Sequence, residues 1–149
     1  VADVCNLEEM RAAVDLAIAR FGAVDAVIHA AGAVRDAPLL TKTVADIEDV
    51  FTPKIHGVQV LDMLFPDGAL DWLALFSSTS TVTGPAGQVD YVAANEYLNA
   101  YARSRAGGRT RVVAIDWGIW NERGMAAQAI EARTGQRPGQ TDHSSASPP

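Results

Sequence analysis

Apolar positions along this chain switch between two spacings. Met10, Val14, Ala17, Ile18 and Phe21 recur every three or four residues, the period of one helix face, and Asn6 with Glu9 after it has the spacing of an N-terminal cap. The pattern predicts a helix that ends at Gly22. Asp25-Ala-Val-Ile-His-Ala-Ala-Gly32 is then a short, almost wholly apolar run closed by glycine, as expected of a strand buried on both faces. Between Thr43 and Phe65 the helical period returns at Val44, Ile47, Val50, Phe51, Ile55, Val58 and Leu61, with Pro53 expected to kink or restart the helix. Trp72 to Phe76 reads as the next buried strand. A turn of Ser, Thr, Gly and Pro leads into a helix from Val89 to Ser104, and Arg111 to Asp116 reads as a further strand. The opening Val1-Ala2-Asp3-Val4 reads as the end of a strand already under way, with more chain expected upstream.

Regular alternation of strand and helix implies an α/β protein with an open parallel sheet covered by helices, the Rossmann-like doubly wound arrangement. In the strand order 3-2-1-4-5-6 of that arrangement, the opening strand would be third and the run at Ala26 to His29 fourth. The glycine-rich turn G-x-G-x-x-G, which should open the first βαβ unit, appears nowhere in the chain. The fold is therefore expected to be truncated, with a gap in its sheet, and unstable or inactive by itself. Residues 1–132 read as one catalytic part, and 133–149, polar and rich in Gly, Pro and Ser, as a disordered tail.

Composition narrows the function classes. At 149 residues, 48% hydrophobic and 20% charged, the chain suits one soluble domain with a sizeable core. No apolar run approaches the ~20 residues that span a bilayer, and no leader-like segment opens the sequence, so no membrane partner is expected. A net charge of −6 with scattered acids argues against nucleic acid, which needs clustered Lys and Arg; the arginines from Arg103 to Arg111 read as a solvated helix end. The lone Cys5 cannot close an internal disulfide, which fits a cytoplasmic location, and reads as a small buried filler. His29, in an apolar strand, reads as a hydrogen-bonded core residue, and no second His or Cys offers metal-ligand spacing, so no metal is expected.

The chemistry sits around one strand end. Ser78 follows the strand ending at Phe76, Tyr91 begins the next helix, and Asn95 is one turn further, so phenol and amide share a helix face directed to the carboxyl edge of the sheet, where open sheets bind ligands. Taken singly, these residues would be a loop hydroxyl, a helix aromatic and a helix amide, and Lys54 a solvated lysine. Their joint placement favours a catalytic cluster.

The set Ser78, Tyr91 and Tyr-Val-Ala-Ala-Asn95 resembles the signature of the short-chain dehydrogenase/reductase superfamily with one exchange. Asn95 stands where most members carry lysine, and Lys54, in Pro53-Lys-Ile-His-Gly57, stands where they carry asparagine. That exchange, together with His29-Ala-Ala-Gly32, Phe76-Ser-Ser78, Gly84-Pro-Ala-Gly-Gln88 and Trp117-Gly-Ile-Trp120 in the same order, is similar to the ketoreductase domains of modular polyketide synthases, over residues 1 to about 126.

The resemblance implies NADPH-dependent reduction of a β-ketoacyl thioester, delivered by an acyl carrier protein, within a chain of other polyketide synthase domains. Tyr91 would give the proton. A phenol, with an ordinary pKa near 10, yields its proton poorly unless the anion is stabilised, and the Lys54 ammonium would do this while also bonding the nicotinamide ribose. Ser78 would donate to the carbonyl oxygen as negative charge develops there. Asn95 would hold a water or fix Lys54. The resemblance also places Asp3 near the adenine, Ala31, Gly32 and Gly118 along the cofactor, and Asp36 and Thr83 at positions that favour a B-type, D-hydroxy product, although Arg35 departs from the usual triplet. Trp120, Gly124 and Met125 would form a lid over the acyl chain or a packed loop. A free-standing short-chain reductase is disfavoured by Asn95, and a bracing subdomain without activity by the intact Lys54, Ser78 and Tyr91.

Overall fold

The computed structural model describes residues 1–118. Helix α1 spans Leu7–Phe21. The Asn6 side chain accepts hydrogen bonds from the amides of Glu8 and Glu9 at 3.1 and 3.2 Å, satisfying two donors that a helix start leaves over. Its own amide donates to Glu9 Oε1. At the far end Gly22 takes φ 90°, and its N–H reaches the Ile18 carbonyl, a conformation that a residue with a Cβ adopts only at a cost.

Strands β1 (Ala26–His29), β2 (Trp72–Ser78) and β3 (Arg111–Trp117) form one parallel sheet in the order β1-β2-β3. Leu73 of β2 is aligned with Val27 on one side and Val112 on the other, and Leu75 with His29 and Ala114. Because side chains alternate along a strand, these residues share one face. Against it lie Val58 and Leu61 of α3 (Gly57–Leu64) and Leu98 of α5 (Val89–Ser104), all nearly or fully buried, with Leu70 and, from α1, Met10.

The opposite face carries Ile28, Trp72 and Val113, which are 58, 41 and 40% exposed. β1, expected to be buried on both faces, is covered on one; the three parallel strands with helices are otherwise the truncated Rossmann-like α/β arrangement that was expected. Among the described residues each strand is added on the same side of the last, and crossovers of one hand that step in one direction leave every helix on one face. The other face is covered only where a sheet also grows the opposite way, as the doubly wound arrangement does.

The opening strand is also corrected. Among the described residues, 1–4 have no ladder partner and pass instead into a turn, in which the Asp3 side chain accepts the Cys5 N–H at 2.9 Å and the Asp3 carbonyl accepts the Asn6 N–H at 3.0 Å. An extended run becomes a strand only when a neighbour takes its backbone groups. Among the described residues β1 is an edge strand of the sheet.

Between Thr43 and Phe65 the chain forms α2 (Val44–Phe51), a π turn at Thr52–His56, and α3. Thr43 and Asp46 close a reciprocal capping box at the start. Pro53, expected to kink or restart the helix, is absorbed by the wider turn. The Gly57 N–H reaches the Thr52 and Lys54 carbonyls, and the flanking residues keep right-handed helical angles. Gly57 itself is dictated by close approach, since a Cβ there would stand 3.0 Å from His29 Cε1 and 3.3 Å from Val4 Cγ1.

Candidate active site

The carboxyl ends of β1 and β2 bring Ala31 and Gly32, and Ser78, to one edge of the sheet, the edge at which open α/β sheets bind ligands, and Gly118 follows β3 in sequence. The π turn sends Lys54 toward this edge from the helical layer. Lys54 is only 3% exposed; its Nζ donates to the Phe76 carbonyl at 2.9 Å and stands 5.8 Å from the centre of the Tyr91 ring. Burial lowers its pKa to about 8, close to working pH. A cation over an aromatic face at this distance is attracted to the ring, more strongly when desolvated.

Tyr91 is half-buried near the start of α5. Asn95, one turn on, is fully buried; its side-chain Nδ2 donates to the Tyr91 carbonyl at 2.7 Å, and its backbone carbonyl accepts the Ser77 hydroxyl at 3.2 Å. Asn95 Oδ1 is buried with no hydrogen-bond partner. Of the two expectations for this side chain, a bond to Lys54 is not what the structure shows, since Nδ2 is given to the Tyr91 carbonyl and Oδ1 takes no donor. The open Oδ1 is an acceptor of the kind a buried water satisfies. Ser78, at the end of β2, accepts the Ser80 N–H on its Oγ at 3.1 Å, which leaves its own O–H as a donor. Lys54, Tyr91 and Asn95 are thus brought together beside the strand end that carries Ser78.

The remaining expectations scatter. Asp36 is half-buried and accepts the Gln88 amide on Oδ2 at 2.9 Å, with Oδ1 buried and unpartnered, which ties it to the segment before Tyr91. Thr83 ends the short helix α4 (Ser80–Thr83), exposed, with its hydroxyl donated to the Thr79 carbonyl. Asp3 is exposed and occupied by its own turn. A Cβ at Gly118 would meet nothing within 4 Å. Trp120, Gly124, Met125 and the tail at 133–149 lie outside the described residues. His29 is buried as expected, but its Nε2 has no partner. Among the described residues no three His, Cys, Asp or Glu side chains gather as a metal site would require, and no helix is long and apolar enough to cross a membrane.

Two residues that the sequence did not single out belong to this neighbourhood. Lys42 and Asp90 form an ion pair at 2.8 Å with side chains 0 and 2% exposed, directly before Tyr91. The burial of a lysine in a loop and of an acid in a first helical turn is set by what the fold lays over them. Neither has a signal in local sequence.

The KR domain family model matches residues 1–122. The chain is 35% identical over 144 residues, 92% of its length, to polyketide synthase PksN of Bacillus subtilis (strain 168), and 42% identical over 101 residues, 68% of its length, to 6-methylsalicylic acid synthase of Aspergillus terreus. It spans only 3 and 6% of those two proteins. Among solved structures it is similar to a ketoreductase from the first module of phoslactomycin biosynthesis in Streptomyces sp. HK803, at TM-score 0.77 and 36% identity over 89% of this chain and 30% of that one. It is also similar to a ketoreductase domain from the bacillaene assembly line, at TM-score 0.75 and 32% identity over 92% of this chain and 36% of that one. With the Lys54 and Asn95 exchange in place beside Tyr91, the chain belongs to the KR domain family, the polyketide synthase ketoreductases of the short-chain dehydrogenase/reductase superfamily.

Proposed function

We propose that this chain carries the catalytic residues of an NADPH-dependent β-ketoacyl reductase, acting on a thioester presented by an acyl carrier protein and giving a B-type, D-hydroxy product. The observation that carries the reading is the buried Lys54 ammonium standing over the Tyr91 ring at the carboxyl edge of the sheet.

When bound, NADPH supplies the hydride for the β-carbon. Tyr91 gives its phenolic proton to the carbonyl oxygen as that oxygen becomes an alcohol. Lys54, held by the Phe76 carbonyl, stabilises the phenolate left behind. The Ser78 O–H orients the carbonyl and meets the charge that builds on its oxygen, where a preorganised donor in a water-poor site has its largest effect. Asn95 holds the first turn of α5 through the Tyr91 carbonyl and offers Oδ1 to a water that returns the proton to the site.

The residues present suit the nicotinamide end of the cofactor. Lys54 has further protons for a ribose hydroxyl, and Ala31 and Gly32 follow the carboxyl end of β1 at the same edge. The chain has no glycine-rich turn for the pyrophosphate. The B-type reading rests on Asp36, tied to Gln88, and on Thr83; the solved neighbours include A-type ketoreductases, so likeness of fold does not decide it.

The test is NADPH oxidation with a model β-ketoacyl thioester, in a longer chain that includes a glycine-rich turn. Tyr91→Phe should lower kcat by about 10²–10⁴-fold, the usual share of a positioned acid. Wild-type rates in that variant would remove the mechanism, and no turnover by the wild type would remove the assignment of substrate.

A further inference from the structure

Resting on that reading, we propose that the buried Lys42–Asp90 ion pair is a positioning device that fixes Tyr91 relative to the loop carrying Asp36, and so sets both proton delivery and the face of the ketone reduced. Lys42 Nζ bonds Asp90 Oδ2 at 2.8 Å and also the Arg35 carbonyl. The second oxygen of Asp90 accepts the Tyr91 N–H at 2.9 Å. One carboxylate thus joins the catalytic residue's backbone to a lysine that holds the residue next to Asp36.

Two further ties run between the same segments. Gln88 Nε2 donates to Asp36 Oδ2 at 2.9 Å, and the Ala37 N–H donates to the Gly87 carbonyl at 3.1 Å. Further along, the loop is open to solvent, with Leu39 and Leu40 at 66 and 98% exposure. Arg35 is also paired with Asp49 at 3.1 Å, but those side chains are about half exposed, and the Lys42–Asp90 pair is the one with both side chains almost wholly out of water. Desolvation offsets much of the attraction in a buried pair, while separating its two charges out of water is costly, which favours the one arrangement in which Lys42 and Asp90 meet. Lys42 and Asp90 act through Tyr91 and the loop, not on substrate.

The experiment compares wild type, Lys42→Met and Lys42→Met/Asp90→Asn in the full-length protein, using the same β-ketoacyl thioester. The double variant strands no buried charge and keeps a side-chain oxygen for the Tyr91 N–H, so it separates folding from positioning. Its thermal midpoint should return toward wild type, with an unchanged KM for NADPH, while kcat falls about tenfold and the minor hydroxy diastereomer rises from a trace to a substantial fraction. Wild-type kcat and diastereomer ratio in the folded double variant would overturn the proposal and leave the pair a structural one. If neither variant folds, hydrogen exchange of the wild type decides: the Tyr91 and Ala37 amides must open together with one protection factor, and independent opening overturns the proposal. Failure of the wild type itself to reduce the thioester would count against the substrate assignment, not against the ion pair.

Discussion

Lys54 and Tyr91 meet as a buried ammonium over an aromatic ring, 5.8 Å from Nζ to the ring centre, although they lie on different helical segments. The lysine is aimed by a π turn and anchored on the backbone of β2. Its charge is therefore held out of water beside the proposed acid, and burial brings its pKa down to about 8.

That value sets the pH dependence of reduction. Below about pH 8 Lys54 keeps its proton and supports Tyr91 as an acid; above it the support is lost. The expected profile of kcat is flat near pH 6–7 and falls through about 8. Lys54→Arg, whose guanidinium does not titrate in this range, should be slower but should move the fall to higher pH. An identical break in both enzymes would show that another group controls it.

His29 makes stability sensitive to acid. Burial, reinforced by the Lys54 charge and opposed by weaker backbone contacts at Lys54 and Pro53, lowers its pKa from 6.5 to about 4. Between those values the unfolded chain binds a proton that the folded chain refuses, so this contribution is fully present above about 6.5 and is lost as pH falls toward 4. A shift of that size corresponds to roughly 3 kcal/mol at most. His29→Gln should flatten the dependence of the urea midpoint on pH between 7 and 4.5, with other titrating groups common to both proteins. Parallel slopes would rule out His29 as the sensor.

Leu98 joins the helical layer to the sheet. It is fully buried among Val58, Leu61, Leu73 and Leu75. Leu98→Ala removes buried methyl groups and leaves a cavity that the flanking strand and helix fill only in part, for an expected loss of about 2–5 kcal/mol in urea unfolding. A loss below about 1 kcal/mol, nearer a surface substitution, would mean that α5 does not depend on this contact.

Much of the secondary structure was legible because its causes are local. The Asn6 cap, the turn at Gly22, the apolar runs of β1, β2 and β3 and the period of α5 each depend on residues within a few positions of one another. The Lys54, Tyr91 and Asn95 pattern was legible for a different reason, through its likeness to a family's motif. Three features were decided elsewhere. Among the described residues the opening four have no strand partner and pass into a turn, and one sheet face carries exposed Ile28, Trp72 and Val113 because all three strands step the same way. The Lys42–Asp90 pair spans 48 positions of sequence, and its burial arises only when a loop and a helix start are laid together. Periodicity reports which side of an element is apolar; what lies against that side, and which charges are shut in beside it, is set by contacts between segments far apart in the chain.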